Sequence, residues 1–521
     1  MVLPVRHRRG VTGSVCALLL AAPLAAQAPR LGTIDFPTSG APSAQREFVT
    51  GVLYLHSFEY ERAVQAFRRA ERLDPGFAMA YWGEALTYTH PIWDEQDAAA
   101  GRGALARLGP TRAVRRTRAP TGREQAYLDA VETLYGAGSK AERDTAYAAA
   151  MARLVAAYPT DLEAKAFYAL SLLGLSQGVR EVPTYLRAAA IADTVFRSNP
   201  NHPGAAHYII HAYDDPAHAN RGLAAARAYS KIAPDAAHAQ HMTTHIFVAL
   251  GLWDDAVAQN EIAQHLTHAA PGHYTAWLNY GYLQQGRHRD ALAHLETLRA
   301  NMATNPPRRQ RAGLALIRAH YLVNTRQWDG AVARWSIPLG DTTAGANVLD
   351  AFVGGLGAVE RGDSVAAERA LATLEALTGR AAATNADGDE DPEVGEIQAL
   401  ELRALLQVAA APDSAVTLLR RATALEEAMP VAFGPPVVIK PTHELLGEVL
   451  LSLHRPREAQ AEFQRALALA PRRALSLLGL RRAAAAAGDS TAARDAAREL
   501  RDVWHRADRL PELVELEQGY P

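Results

Sequence analysis

Residues 459–471 read AQAEFQRALALAP, in which Ala459, Phe463 and Ala466 are spaced four and three apart and Pro471 follows. This spacing is typical of the second helix of a helical hairpin, with small residues facing the first helix and a proline ending the unit. Further copies of the spacing at a fixed period would make the chain a repeat array.

Such copies occur throughout the chain. Residues 63–75, AVQAFRRAERLDP, repeat alanine, phenylalanine, alanine and proline at the same four positions. Gly51 and Gly447 each lie twelve residues before the first alanine, where the two helices of a hairpin would cross closely. A frame of about 34 residues also fits 188–200, 222–234, 256–263, 291–298, 331–335 and 493–500. The sequence therefore predicts about 10–12 repeats of one unit.

The repeat predicts an all-α fold. A helical hairpin cannot bury its apolar face alone, so neighbouring hairpins stack into a superhelix, or α-solenoid. Strand signals are nearly absent, because no sustained alternation of β-branched residues appears. Proline separates successive helices, as at Asp74-Pro75 and Asn199-Pro200. Departures from the period predict insertions around 102–122, 301–311, 384–393 and 429–441.

The first residues have the layout of a secretory signal peptide. Arginines precede a short apolar run over 15–26, and Ala26-Gln27-Ala28 resembles a cleavage site. We therefore expect a periplasmic or secreted protein, and removal of this segment also removes the only cysteine, Cys16. The predicted segments are 1–28 (signal peptide), 29–43 (extended), 44–160 (repeats with an Arg/Ala/Pro-rich insertion), 161–300 (histidine-rich repeats), 301–395 (repeats) and 396–521 (C-terminal repeats).

Composition excludes several classes of function. The chain of 521 residues has 54 Lys plus Arg against 56 Asp plus Glu, a net charge of −2 that offers no overall field for nucleic acid. No later stretch reaches the roughly 18 apolar residues of a membrane helix, so we expect no membrane span. Glycine-rich phosphate loops are missing from the sequence, so we expect neither a nucleotide nor a flavin.

The chain resembles known repeat proteins more closely than the period alone requires. The stretches that carry the resemblance are 77–84 (FAMAYWGE), 90–93 (HPIW), 207–211 (HYIIH), 214–216 (DDP), 238–245 (HAQHMTTH), 434–436 (GPP) and 441–447 (PTHELLG). They are similar to a bacterial family of exported tetratricopeptide-repeat (TPR) proteins that has no assigned activity. The resemblance implies a TPR-type solenoid and an exported protein, but no reaction.

Histidines are concentrated in the central repeats, which hold more than half of the 19 in the chain. His238, His241 and His245 are spaced three and four apart, which places them on one helix face. His207 and His211 lie one repeat earlier, each 34 residues before a member of that group. Equivalent positions of two consecutive repeats therefore carry histidine.

The resemblance implies that the first helix of each TPR unit lines a concave surface, with positions two, five and nine pointing into it. By that count the concave positions hold His207, His211, His238, His241, His245 and His273, and His320 follows in a later unit. Neighbouring first helices lie about 8–10 Å apart, so facing imidazoles could share a metal at about 2.0–2.1 Å per bond. We predict a transition-metal site of Cu, Zn or Fe, which Asp214 or Asp215 would join or orient.

Two other interpretations of these histidines stay open: a histidine-lined groove for an organic ligand, and the duplication of a structural residue. The C-terminal repeats add a second pattern, because Glu444 and Glu448 fall at positions five and nine beside His443. Two such carboxylates could bind a cation, receive a basic peptide, or act as acid and base. The predicted ligand groove comprises Asp214, Asp215, Trp277, His320, His443, Glu444 and Glu448.

The sequence thus predicts an exported TPR protein that binds a peptide, a protein or a small molecule in its concave groove and holds a transition metal in the central repeats. The alternative is a metalloenzyme that uses the same histidines for copper-dependent oxidation or metal-assisted hydrolysis. No catalytic residue can be assigned, because the familiar nucleophile and zinc-protease motifs are missing from the sequence.

Overall fold

Helices make up nearly all of the regular structure in the computed structural model, which describes residues 28–176, 180–267, 270–340, 342–384 and 392–517. The predicted signal peptide lies outside these residues except for Ala28. The prediction of an all-α, TPR-type solenoid is confirmed by 25 α-helices that pair along the chain. Among the described helices, none has the length and apolar character to cross a membrane.

The N-terminal repeats consist of seven helices and one small hairpin. These are α1 (Pro42–His56), α2 (Tyr60–Leu73), α3 (Ala78–Leu86), β1 (Thr89–His90), β2 (Glu95–Gln96), α4 (Ala98–Leu108), α5 (Arg112–Thr117), α6 (Gly122–Leu134) and α7 (Lys140–Ala157). The two strands are antiparallel, with a 3-10 turn at Pro91–Trp93 between them.

The central repeats continue the same pairing. Their helices are α8 (Leu162–Leu173), α9 (Val182–Ser198), α10 (Pro203–Ala212), α11 (Ala219–Ile232), α12 (Ala237–Ala249), α13 (Trp253–Thr267), α14 (His273–Gln284) and α15 (His288–Ala300). The first helices of successive hairpins also contact one another. Helix α10 contacts both α8 and α12, and α14 contacts α16 (Arg308–Thr325).

The C-terminal repeats complete the array. Their helices are α17 (Ala344–Glu360), α18 (Ser364–Thr384), α19 (Pro392–Gln407), α20 (Pro412–Ala428), α21 (Thr442–Ser452), α22 (Pro456–Leu469), α23 (Ala474–Ala486), α24 (Ser490–Val503) and α25 (Pro511–Glu517).

Glycine allows the phenylalanine of one repeat to pack between two first helices. A Cβ atom at Gly51 of α1 would lie 2.7 Å from the Phe67 ring, and one at Gly83 of α3 would lie 2.3 Å from it. Real Cβ atoms do not approach a ring so closely, so only glycine lets both helices contact Phe67. This contact explains why the glycine and phenylalanine of the repeat recur together.

The same contact in the C-terminal repeats gives a testable prediction. Phe463 lies against Gly447 and Gly479, and a Cβ at Gly479 would lie 2.2 Å from its ring. We expect Gly479→Ala to lower the free energy of unfolding by about 1–3 kcal/mol in urea unfolding, because it overpacks this contact. The control Gly103→Ala, on an exposed face with open space around the glycine, should raise stability by about 0.5–1 kcal/mol. Equal effects of the two substitutions would contradict this packing.

Contacts between distant segments join the ends of the array to its centre. The extended N-terminal segment crosses the central repeats, where the Thr33 amide donates to the Asn201 carbonyl at 3.0 Å. At the other end, the Trp504 indole donates to the Gln284 carbonyl at 3.1 Å, and the Trp253 indole donates to the Arg472 carbonyl at 2.9 Å. The N-terminal segment thus contacts the start of α10, and the C-terminal repeats contact α13 and α14.

The prediction of one repeat helix is wrong. Residues 331–335 fit the frame of a second helix, but the structure has only a 3-10 turn at Val332–Arg334. Arg318 of α16 donates to the carbonyls of Val332 and Ala333 at 3.0 and 2.8 Å. These carbonyls therefore accept from a side chain instead of from the backbone amides of a helix. Pro338 follows shortly and removes the amide that a continued helix would need.

The insertion around 102–122 is more ordered than its composition suggests. It contains most of α4 and all of α5, and Arg112 and Arg115 of this region pair with Glu132 of α6. Arg112 and Arg115 of the insertion are thus bonded within the protein.

Candidate metal centre

Three consecutive first helices carry the central histidines. Helix α10 holds His207 and His211, α12 holds His238 and two further histidines, and α14 begins at His273. The start of α10 is fixed by the His202 ring, whose Nδ1 accepts a hydrogen bond from the Ala205 amide at 3.1 Å, and by proline at its first position.

The first histidine set consists of His207, His211 and His238, whose ligand atoms all lie within 4.8 Å of one another. The Nε2 atom of His207 lies 3.1 Å from Nε2 of His211 and 3.2 Å from Nε2 of His238. Ligands bound tetrahedrally to one ion at 2.0–2.1 Å are separated by about 3.3 Å, so the three nitrogens are already close to metal-binding positions.

Hydrogen bonding within the protein does not satisfy this set. Nδ1 of His207 donates to the backbone carbonyl of His56 at 2.7 Å, which leaves Nε2 of the neutral ring with one lone pair. Two other Nε2 atoms, those of His211 and His238, approach that single lone pair. A cation at the meeting point of the three nitrogens would satisfy all of them.

The second histidine set consists of His241, His245 and His273 and meets the same distance criterion. Nδ1 of His241 lies 2.8 Å from Oδ1 of Asn260, and Nδ1 of His245 lies 2.5 Å from Oδ2 of Asp214. The Asp214 oxygen accepts, and in this orientation of the Asn260 amide its oxygen accepts too, so both Nδ1 atoms carry the proton and both Nε2 atoms carry lone pairs. These Nε2 atoms are only 3.2 Å apart, a repulsive contact unless a cation lies between them.

Burial favours the uncharged form of four of these rings, His207, His211, His238 and His241. Burial, with the charges of neighbouring histidines, lowers the pKa of His211, His238 and His241 well below the usual value. It lowers the pKa of His207 to about 3. Metal binding requires unprotonated imidazole, so these ligands need lose no proton at neutral pH.

A third buried group, His56, Glu163 and His202, also meets the distance criterion but is fully explained by hydrogen bonds. The Nε2 atoms of His56 and His202 donate to the two oxygens of Glu163 at 2.8 and 3.0 Å. Their Nδ1 atoms accept from the Tyr208 hydroxyl at 2.9 Å and from the Ala205 amide. Since every ring nitrogen has a complementary partner, this group is a structural network that positions the carbonyl bonded to His207.

Aromatic residues surround both sets. The ring centroids of Phe58 and His207 are 4.3 Å apart, and those of Trp277 and His245 are also 4.3 Å apart. Tyr274 touches both sets, since its hydroxyl lies 3.0 Å from Nδ1 of His238 and its ring stacks on a second-set ring at 4.3 Å. The sequence analysis predicted Trp277 at this place but missed Tyr274, Asn260 and Phe58, which no repeat position distinguishes.

The other predicted groove residues of this region are placed differently. Asp215 pairs with Arg180 at 2.6 Å and accepts from His218 at 2.8 Å, so these contacts are to side chains outside both sets. His320 lies outside both sets beside Tyr280, and its Nδ1 is buried with no hydrogen-bond partner among the described residues. Burial, with the charge of Arg473, lowers the pKa of His320 to about 3.

The carboxylate of Glu444 does not line an open groove, contrary to the expectation from its repeat position. It is buried and accepts two hydrogen bonds from Arg473 at 2.8 and 3.0 Å, one from Lys440 at 2.9 Å, and one from Ser476 at 2.6 Å. Burial alone would raise its pKa, but Arg473 and Lys440 outweigh burial and lower it. Glu448, by contrast, lines a cavity of about 540 Å³ together with Lys440 and Arg326.

His443 is buried between two carboxylates. Its Nδ1 lies 2.6 Å from Oε2 of Glu462 and its Nε2 lies 3.0 Å from Oε1 of Glu427, so both nitrogens donate and the ring is cationic. Burial alone would lower its pKa, but the two glutamates outweigh burial and raise it. His443 is therefore part of an ion-pair cluster.

The raised pKa of His443 predicts a pH effect. Because the folded state binds this proton more tightly than the unfolded chain, the stabilisation is complete below the unfolded pKa of about 6.5 and is lost as pH rises through the folded pKa. We expect His443→Gln to lower the free energy of unfolding more at about pH 5.5 than at about pH 9, in urea unfolding at each pH. His505→Gln, at a half-exposed ring, serves as control. Equal losses at both pH values would refute this assignment.

Comparison with known proteins gives little beyond the helical fold. No protein-family model matches the chain, and no curated protein matches it. Among solved structures, it is similar to the APC/C hetero-tetramer Cut9-Hcn1, with a TM-score of 0.33, 11% identity and coverage of 93% of this chain and 78% of that chain. It is also similar to yeast Tom70, with a TM-score of 0.28, 12% identity and coverage of 92% of both chains. Similarity at this level carries no functional argument.

Proposed function

We propose that this protein is an exported TPR-type scaffold that binds transition-metal ions through its two histidine sets. The observation that carries the proposal is the meeting of Nε2 atoms with other Nε2 atoms in both sets, at 3.1–3.2 Å. In the first set a single lone pair faces two neighbouring Nε2 atoms, and in the second set two lone pairs face each other, so a shared cation would satisfy both arrangements. Ligands held on packed helices are also rigid, which favours binding.

The donor atoms limit the choice of metal. Six imidazole nitrogens without sulfur suit Zn, Cu or Fe, and they disfavour Mg or Ca, which prefer oxygen. His245 is oriented by Asp214 and His207 by a backbone carbonyl, the kind of outer bonding that metal-binding histidines show. The metal would therefore be held by histidines whose tautomers the protein already fixes.

The concave side of the array would bind the second ligand, a peptide, a protein or a small molecule. The cavity lined by Glu448 supports this part of the proposal, because it combines apolar residues such as Trp328 and Leu356 with the charges of Lys440 and Arg326. Export is proposed from the N-terminal sequence pattern, and cell fractionation with detection of the processed N-terminus would test it.

A metalloenzyme is the second candidate. Each set supplies three protein ligands, and sites with three protein ligands keep a position open for water or substrate. A bound metal would supply Lewis-acid or redox chemistry at that position.

Metal analysis of the purified protein tests the proposal. Untagged protein would be incubated with Zn, Cu or Fe, dialysed, and measured by mass spectrometry beside a His207/His241/His245→Ala variant. We expect at least about one equivalent in the natural sequence and less than about 0.1 in a variant that retains its helical circular dichroism. His294→Gln is the matched control, since His294 is a buried histidine of the next repeat whose ring nitrogens bond to Gln264 and Asn279 and which belongs to neither set. Less than about 0.1 equivalent in the natural sequence would refute metal binding.

A further inference from the structure

The two histidine sets face each other directly. The ring centroids of His211 and His245 are 6.0 Å apart, and those of His238 and His241 are 6.4 Å apart. Each pair joins one member of the first set to one member of the second set. The approach follows from the repeat, because α10 and α12 are consecutive first helices in contact. Two ions bound in these sets would therefore be neighbours within one site.

We propose that the sets form one dinuclear centre whose two ions share a small exogenous anion. The inference rests on the proposed metal binding and adds the number of ions, their coupling and the class of ligand. Two divalent ions held by neutral imidazoles would carry an excess of positive charge. Asp214 is the carboxylate bonded to a ring of the centre, whereas the nearby Arg180, which donates to the His211 carbonyl, is already paired with Asp215. Buried charge of one sign needs a counter-charge, which a shared anion would supply.

The coordination number also points to an added ligand. Each set offers three nitrogens, whereas zinc and copper sites normally hold four or more donors. The Nδ1 atoms of His207, His241 and His245 are bonded within the protein, so these rings cannot turn to supply another donor. A ligand shared across the facing rings would complete both ions together.

Access to the centre lies on the side of His273, the one residue of the six that is classed as exposed. Two aromatic side chains border the same region: Trp93 lies 6.2 Å from His238 and Phe433 lies 5.2 Å from His245, measured between ring centroids. Both are partly exposed, at 46% and 42%. The segment that carries Phe433 is held by Gly434, whose φ of +91° and close contact with Trp277 exclude a side chain. A border of large rings admits a small anion more readily than a bulky one.

Copper and azide test the proposal. The protein would be loaded with Cu(II), and copper content, integrated electron paramagnetic resonance and absorption with and without azide would be measured. We expect two coppers per chain, a spin count well below the copper content, and a new absorption band on azide addition. Magnetic coupling through a shared ligand requires two neighbouring copper ions. Single-set variants, in which one ligand of one set is replaced, therefore show whether the lowered spin count depends on both ions. His211→Asn and His245→Asn should each retain one copper with a full spin count.

The outcomes distinguish this proposal from metal binding itself. Two coppers with a full spin count, or both coppers retained in either single-set variant, would overturn the dinuclear centre but leave a metal-binding protein. A spectrum unaltered by azide would overturn the shared anion. No bound copper, zinc or iron would overturn both proposals. His294→Gln, the buried histidine of the next repeat, should match the natural sequence in every measurement.

Discussion

Replacement of Arg473 by methionine is expected to lower the free energy of unfolding by about 3–5 kcal/mol, the cost of breaking a buried ion pair. Arg473 and Glu444 are both buried and share two hydrogen bonds. Arg473 also donates to the Tyr280 hydroxyl of α14 at 2.9 Å, so it links the C-terminal repeats to the helix that carries His273 of the second histidine set. Without it, the Glu444 carboxylate retains only Lys440 and Ser476 as partners.

Urea unfolding monitored by circular dichroism measures this effect. Arg455→Met is the matched control, since Arg455 pairs with Glu458 at a partly exposed site worth at most about 1 kcal/mol. The double variant Arg473→Met/Glu444→Gln should recover part of the loss, because it removes the uncompensated charge. If Arg473→Met costs no more than Arg455→Met, the buried pair does not hold the two parts of the array together.

Substitution of Asp214 by asparagine should weaken zinc binding to the second set by about 10–100-fold. The Asp214 carboxylate lies 2.5 Å from Nδ1 of His245, where it fixes the tautomer and raises the basicity of Nε2. Asparagine has nearly the same shape and keeps an acceptor oxygen, so the change removes charge rather than packing. Competition with a chromophoric chelator measures the dissociation constant.

The neighbouring carboxylate provides the control for this experiment. Asp215→Asn breaks contacts to Arg180 and His218 and touches no ring of either set, so zinc affinity should stay within about twofold. Equal affinities for the natural protein and Asp214→Asn would contradict the orienting role. Equal weakening by both substitutions would indicate a general disturbance of the turn after α10.

Much of the fold was predictable because the repeat requires particular side chains at particular places. Phe67 and Phe463 each need glycine on two flanking helices, and that requirement appears directly as spacing in the sequence. The helix predicted at 331–335 does not form because of a contact that spacing does not encode. Arg318, 14 residues before Val332, supplies donors that replace helical hydrogen bonds, and a spacing rule contains no information on such a contact.

The candidate site was predictable in its members but not in its grouping. The repeat frame placed His207 beside His241 and His211 beside His245, whereas the structure groups His238 with the helix α10 pair. The offset between neighbouring first helices decides this grouping, because position two of one first helix lies next to position five of the first helix before it. Sequence spacing alone gives the face of a helix and not the offset between helices.

Hydrogen-bond partners of the rings could not be predicted at all. The His56 carbonyl and Asn260 come from other helices, at separations of 151 and 19 residues from the rings they contact. Glu444 shows the same limit, since its position in the repeat is identical whether it meets open solvent or Arg473, 29 residues later. Such partners depend on tertiary packing, which also decides whether a concave position forms part of a groove.

X-ray absorption spectroscopy of the zinc-loaded protein tests the central claim most directly, because it identifies the ligands as well as the metal. The two histidine sets predict a first shell of nitrogen and oxygen at about 2.0–2.1 Å, with outer-shell scattering from about three imidazoles per zinc and no sulfur. The imidazole outer-shell scattering should disappear in the folded His207/His241/His245→Ala variant. A shell dominated by oxygen, with at most one imidazole per zinc, would contradict histidine ligation by these sets.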